Sequence, residues 1–69
     1  MIELYFNEAE SCITVSRNSN TERVNLGLNL HNKLMKLLGK SFFDRLEDEF
    51  LISVTGEIAE NINKLVFKD

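Results

Sequence analysis

Cysteine and histidine have the widest chemical range of the side chains, and this chain has one of each, Cys12 and His31. Cys12 could act as a nucleophile if His31 came close enough to take its proton. Cys12, however, lies in a β-rich segment, where a free cysteine is more often a small buried hydrophobic residue. A structural zinc ion needs four ligands, and these two residues are the only soft ones. We therefore expect neither a Cys–His dyad nor a zinc site.

Carboxylates are the next candidates, because Asp44, Glu47, Asp48 and Glu49 lie close together in the sequence. Successive residues of a helix point about 100° apart, so these side chains do not converge on one ion. The ligand spacing of a calcium-binding loop is absent. The glycines that a phosphate-binding loop requires are scattered along the chain. The pattern favours a solvated helix face, and the sequence predicts a non-enzyme without a metal or cofactor.

Charge is unevenly distributed, although the net charge is only −3. Residues 44–60 carry six acidic side chains against one arginine, and residues 11–43 carry five basic side chains against one glutamate. Such asymmetry can mark the surface that meets an oppositely charged partner, although internal pairing and solubility are an alternative explanation.

Our leading hypothesis is a small non-enzymatic accessory or regulatory protein that binds a protein partner and inhibits or modulates it. A compact, acidic, asparagine-rich chain without motifs is typical of a phage or mobile-element inhibitor. The candidate partner-binding residues are Asp44, Glu47, Asp48 and Glu49.

The basic segment 17–40 supports the alternative hypothesis of a dimeric nucleic-acid-binding transcriptional regulator. A strand there would turn its polar side chains to one side, and asparagine is a good reader of adenine. Lysines in the following helix would contact phosphates. The candidate residues for this role are Arg17, Arg23, Asn25, Asn29, Lys33 and Lys36.

Residues 22–50 are also similar in outline to a ribbon-helix-helix repressor, with an alternating strand, a helix, and then Gly39-Lys40-Ser41. The resemblance implies a strand that pairs across a dimer and reads bases in the major groove. The chain departs from that pattern in its short first helix, its extra N-terminal hairpin and its acidic net charge, where such domains carry a basic footprint.

Three segments in which apolar and polar residues alternate are the predicted strands that position the candidate site residues. Ile2, Leu4 and Phe6 alternate with polar residues, and Ile13 and Val15 form a second inward pair. Alternation with period 2 is typical of half-buried strands. The first 30 residues therefore predict a three-stranded antiparallel sheet over about 1–6, 12–16 and 22–30, with one apolar face that a helix layer must cover.

The stretch 24–39 changes from period 2 to period 3.6, which indicates a strand running into a helix over about 31–38. We expect His31 to cap or line that junction and Gly39 to end the helix. A single helix from Thr21 over 22–39 is the competing interpretation. The predicted core leucines of this stretch are Leu26, Leu28, Leu30, Leu34 and Leu38.

Ser41 and Asp44 approximate a capping box, which predicts a second helix over about 42–50. Residues 51–55 are rich in β-branched side chains, which is typical of a strand, and a last helix over about 57–67 follows. A single helix over 41–67 is the alternative interpretation. Both versions give an α+β fold in which two or three helices cover one face of the sheet.

Sixty-nine residues predict one small domain, and the core of such a domain rarely supplies more than roughly 3–5 kcal/mol of stability. One cysteine excludes an internal disulfide, so a homodimer is a reasonable source of further stability. The first residues are acidic where a signal peptide is basic and then apolar. No apolar stretch approaches the roughly 20 residues that span a bilayer. We therefore expect a soluble, cytoplasmic protein that does not engage a membrane.

Overall fold

The computed structural model describes residues 1–67 of the chain, and it confirms the α+β class. One antiparallel sheet is covered on one face by three helices, and its strands lie in the order β3-β2-β1-β4. The elements are β1 (Ile2–Asn7), β2 (Cys12–Arg17), β3 (Asn20–Asn25), α1 (Asn29–Leu38), α2 (Lys40–Glu49), β4 (Leu51–Val54), α3 (Gly56–Ile62) and a π-helical segment (Asn63–Phe67) that continues α3.

The first three strands form the expected meander. Leu4 lies opposite Val15, and Phe6 opposite Ile13. Ile2 and Leu4 are buried, whereas Glu3 and Tyr5 are exposed. This alternation turns one face of the sheet to the helices and leaves the other face, called the open face below, to solvent.

The prediction of a three-stranded sheet is wrong, because residues 51–54 add a fourth strand. β4 returns after two helices and pairs with the free side of β1, with Leu4 opposite Ile52. Phe50 ends α2 in the left-handed conformation (φ +66°), and its carbonyl accepts a hydrogen bond from the Phe6 N–H at 2.8 Å. This break excludes the alternative of one helix over 41–67.

The predicted strand over 22–30 is too long at its C-terminal end. β3 stops at Asn25, although the Leu26 N–H still donates to the Ser11 carbonyl at 2.9 Å. Gly27 then adopts φ +86°, a conformation that glycine tolerates and that turns the chain out of the sheet. The helix begins at Asn29, two residues earlier than predicted, and the alternative of one helix over 22–39 is also wrong.

The joint between α1 and α2 is a single residue, Gly39, which ends the first helix and precedes the second. Its N–H donates to the Met35 carbonyl at 2.8 Å, so Gly39 ends α1 as predicted. The predicted start of α2 is wrong. Ser41 lies inside the helix, and no side chain caps α2, so the Ser41–Asp44 capping box does not form.

Leu34 is fully buried, and Leu26, Leu30 and Leu38 pack at the edge of the core. Leu28 is 58% exposed, so its assignment to the core is wrong. The error follows from the early end of β3, because Leu28 lies in the turn rather than on an inward strand position. The buried core residues are Ile2, Leu4, Ile13, Val15, Val24, Leu34, Phe43, Leu46, Ile52, Val54, Ala59, Ile62 and Val66.

His31 lines the junction between β3 and α1, as predicted. Its Nδ1 accepts a hydrogen bond from the Gly27 N–H at 3.3 Å. Its ring packs edge-on against Phe43, with the ring centroids 5.6 Å apart. These contacts tie the turn before α1 to α2.

Candidate binding cleft

A solvent-open cleft of about 490 Å³ lies between α1 and the C-terminal helical segment, by which we mean α3 together with the π-helical segment that continues it. α1 packs beside both α3 and the π-helical segment, and the cleft follows this contact. Its lining residues are Lys33, Lys36, Leu37, Asn61, Lys64 and Leu65. We call this feature the basic cleft.

Both walls of the basic cleft have the same spacing. One wall carries Lys33, Lys36 and Leu37, and the other carries a polar residue, a lysine and a leucine at the same intervals, residues 61, 64 and 65. Positions i, i+3 and i+4 lie on one side of a helix, so each wall turns a lysine and a leucine towards the cleft. Leu37 stays 38% exposed, which provides apolar surface beside the charges.

The lysines of the basic cleft carry uncompensated charge. Among residues 1–67, no carboxylate forms an ion pair with Lys33, Lys36 or Lys64. Three ammonium groups beside an apolar surface can attract an anionic ligand and also bury its apolar groups along their alkyl stems.

The second wall is held in place by the end of β2. The Arg17 guanidinium donates to the Asn63 side-chain oxygen at 3.0 Å and lies over the Phe67 ring, 4.6 Å from its centroid. Both partners belong to the π-helical segment that carries Lys64 and Leu65. Short π-helical segments often occur at functional sites, because they redirect the side chains of a helix.

The acidic residues predicted to bind a partner are all exposed on α2. Asp44 pairs with Lys40 at 3.4 Å, and Glu49 pairs with Arg45 at 3.2 Å. These exposed i, i+4 pairs are weak, and they leave Glu47 and Asp48 without an ion pair within residues 1–67. The partner-binding role of this group stays a prediction.

The six residues predicted to bind nucleic acid are spread over three elements, β2, β3 and α1, and their role stays a prediction. Lys33 and Lys36 line the basic cleft, but Arg23 lies on the open face and pairs with Glu10. Asn25 ends β3 and Asn29 begins α1, both exposed.

The resemblance to a ribbon-helix-helix repressor also fails at the strand. β3 pairs with β2 of the same chain, with Val24 opposite Ile13, instead of being the lone strand of that pattern.

Cys12 and His31 do not form a dyad. The Cys12 thiol is buried on the open face, where Glu10 Oε2 lies at 3.9 Å and Arg23 Nη2 at 3.7 Å. His31 packs in the helical layer against Phe43. Across residues 1–67, no group of three or more His, Cys, Asp or Glu side chains is arranged to hold a metal ion. No helix in that range is both long and apolar enough to cross a bilayer.

Sequence reasoning identified two of the six cleft residues, Lys33 and Lys36, and missed Leu37, Asn61, Lys64 and Leu65. The repeated spacing of a polar residue, a lysine and a leucine at 33, 36, 37 and at 61, 64, 65 was the available signal. Nothing local indicated that the two segments would lie side by side.

Comparisons with protein families, with characterised proteins and with solved structures give no significant match to this chain.

Proposed function

We propose that this protein is a non-enzymatic binding module whose basic cleft holds an acidic, partly apolar segment of a protein partner. The observation that carries the proposal is the set of three lysines around Leu37 and Leu65 that have no ion pair within residues 1–67. A partner segment bound in the cleft cannot make its other contacts. In this way a small domain inhibits or modulates a larger protein.

Charge favours an acidic ligand. Lys33, Lys36 and Lys64 come from both walls, so a ligand between the walls meets positive charge on each side. Complementary charge speeds encounter and selects against other partners, and its effect declines as salt rises.

The apolar surface favours a peptide over a polynucleotide. Leu37 and Leu65 offer a place for a leucine or phenylalanine side chain, as in the binding of an amphipathic helix to a groove. Nucleic acid needs a broad basic surface for successive phosphates, and this chain carries a net charge of −3 with Arg23 already paired. Nucleic acid therefore remains the second candidate, favoured only by Lys33 and Lys36.

A titration with a labelled helical peptide tests the proposal. The probe carries leucines at i, i+3, i+4 and i+7 flanked by glutamates, and its binding is followed by fluorescence anisotropy at low and high salt. We expect binding that weakens with salt and that is lost when the glutamates become glutamines or the leucines become alanines.

Charge reversal locates the binding surface. The double variant Lys36→Glu/Lys64→Glu, with one change on each wall, should raise the dissociation constant by about tenfold or more. The physical reason is that each exposed charge contact contributes up to about 1 kcal/mol, and about 1.4 kcal/mol is a factor of ten. The matched control Lys40→Glu changes an exposed lysine outside the cleft and should have less than about a twofold effect. The proposal is contradicted if the double variant and Lys40→Glu lose peptide affinity equally. It is also contradicted if the protein binds mixed oligonucleotides and not the peptide.

A further inference from the structure

β4 forms one edge of the sheet, and it pairs with β1 alone among the strands of residues 1–67. An edge strand presents a row of backbone N–H and C=O groups on its outer side. The orientation of these groups in β4 follows from its register with β1.

The Phe6 N–H donates to the Phe50 carbonyl, which marks residues 6 and 50 as a hydrogen-bonded position of the ladder. Hydrogen-bonded positions alternate along an antiparallel pair, so Ile52 and Val54 also direct their backbone groups to β1. The backbone N–H and C=O groups of Leu51 and Ser53 therefore point outward.

The two edges of the sheet differ in charge. β3, at the other edge, carries Glu22 and Arg23, and charged side chains on an edge strand protect it from pairing. β4 has the sequence LISV and no charged residue. Its edge is therefore unprotected, and two such edges meet without repulsion between their own side chains.

Apolar side chains accompany this edge on the open face. Leu51 is 50% exposed and lies opposite Tyr5, which is 48% exposed. A strand added beside β4 would border Leu51 and cover the free backbone groups of the edge.

We propose that β4 pairs antiparallel with β4 of a second copy of this chain, about a two-fold axis through Ile52. In that register Leu51 of each copy lies opposite Ser53 of its partner. Each such pair exchanges both backbone hydrogen bonds, so all the outward groups of Leu51 and Ser53 are satisfied. The sheet then runs continuously through both copies.

Self-complementarity is the reason for assigning a second copy as the occupant. A two-fold contact needs a patch that matches itself, and the uncharged edge with alternating donors and acceptors meets that requirement. The contact is short, because β4 has four residues, so the dimer is weak and depends on concentration. α2 packs on β1 and β4 and carries more acidic than basic side chains, so salt should strengthen the dimer by screening repulsion between the two α2 helices.

Sedimentation equilibrium at tens to hundreds of micromolar tests this pairing. The average mass of the unmodified protein should approach twice the 8.0 kDa mass of one chain, and it should come closer to that value at higher salt. Ser53→Lys places a charge on the edge, and Ser53→Pro removes an outward N–H without breaking the ladder to β1. Both variants should be monomeric with an unchanged circular dichroism spectrum. Ser53→Lys is the decisive variant if the proline prevents folding.

Thr21→Lys is the matched control, because it adds the same charge to the opposite edge strand, β3. This variant should dimerise like the unmodified protein. A protein that stays monomeric throughout the concentration range, or a dimer that persists in Ser53→Lys, overturns the assignment. Peptide binding at the basic cleft weakens with salt while the dimer strengthens, so failure of one proposal is distinguishable from failure of the other.

Discussion

At the scale of single residues, Cys12 is buried on a face of the sheet that is otherwise open. Arg23 and Glu10 form an ion pair above it, and the Arg23 guanidinium lies 3.7 Å from the Cys12 sulfur. The ion pair is itself exposed, so it shields the thiol without adding much to the free energy of unfolding.

Removing this cover should expose the thiol. In Arg23→Ala we expect Cys12 to react severalfold faster with an aromatic disulfide reagent, followed by absorbance. The free energy of unfolding should change by less than about 1 kcal/mol, because the lost ion pair is exposed. Arg45→Ala is the matched control, since it breaks the exposed pair with Glu49 on α2 and leaves Cys12 covered. Equal reaction rates in the two variants would mean that Arg23 does not shield the sulfur.

Two leucines of one sequence stretch should differ strongly in how much stability the same substitution costs. Leu34→Ala removes a fully buried side chain and should lower the free energy of unfolding by about 2–5 kcal/mol. That loss is comparable to the whole stability of a chain this small. Leu28→Ala changes an exposed side chain and should stay within about 0.5 kcal/mol of the unmodified protein. Urea unfolding measures both, and similar losses would contradict the early end of β3.

At the scale of elements, Gly39 joins α1 to α2 with φ +86° and ψ 161°, a region open almost only to glycine. No atom lies within 4 Å of an added Cβ, so the cost of Gly39→Ala comes from the backbone alone. We expect a loss of about 1–3 kcal/mol in the free energy of unfolding.

Ser41→Ala tests the start of α2, and urea unfolding measures its effect as it does for Gly39→Ala. A capping serine contributes about 1 kcal/mol, but Ser41 makes no cap hydrogen bond, so its replacement should be neutral or slightly stabilising. A loss of about 1 kcal/mol or more would show that Ser41 caps the helix.

The elements also show where sequence reasoning succeeds. Alternation over residues 2–6 and 12–16 predicted β1 and β2 with the correct buried faces, because each segment is short and strictly periodic. β4 was ambiguous, because Phe50, Val54, Ile58 and Ile62 also keep a helical spacing of four. Its partner, β1, lies about fifty residues earlier in the chain, and local periodicity carries no information on such pairing.

At the scale of the whole molecule, α2 has an excess of acidic charge and the basic cleft an excess of basic charge. Four carboxylates lie on α2, whereas three lysines without an ion pair in the described part of the chain line the basic cleft. The sequence predicted the acidic group and two of the cleft lysines, Lys33 and Lys36. It did not predict the cleft, because its second wall depends on how α1 packs beside the π-helical segment.

We propose that the basic cleft, rather than the acidic face of α2, binds the partner. A ¹⁵N–¹H NMR titration with the leucine–glutamate peptide distinguishes the two surfaces, because each backbone amide reports its own surroundings. We predict that the largest shift changes fall on Lys33, Lys36, Leu37, Asn61, Lys64 and Leu65 and disappear in Lys36→Glu/Lys64→Glu. Changes concentrated at residues 44–49, or no changes up to millimolar peptide, would contradict the claim.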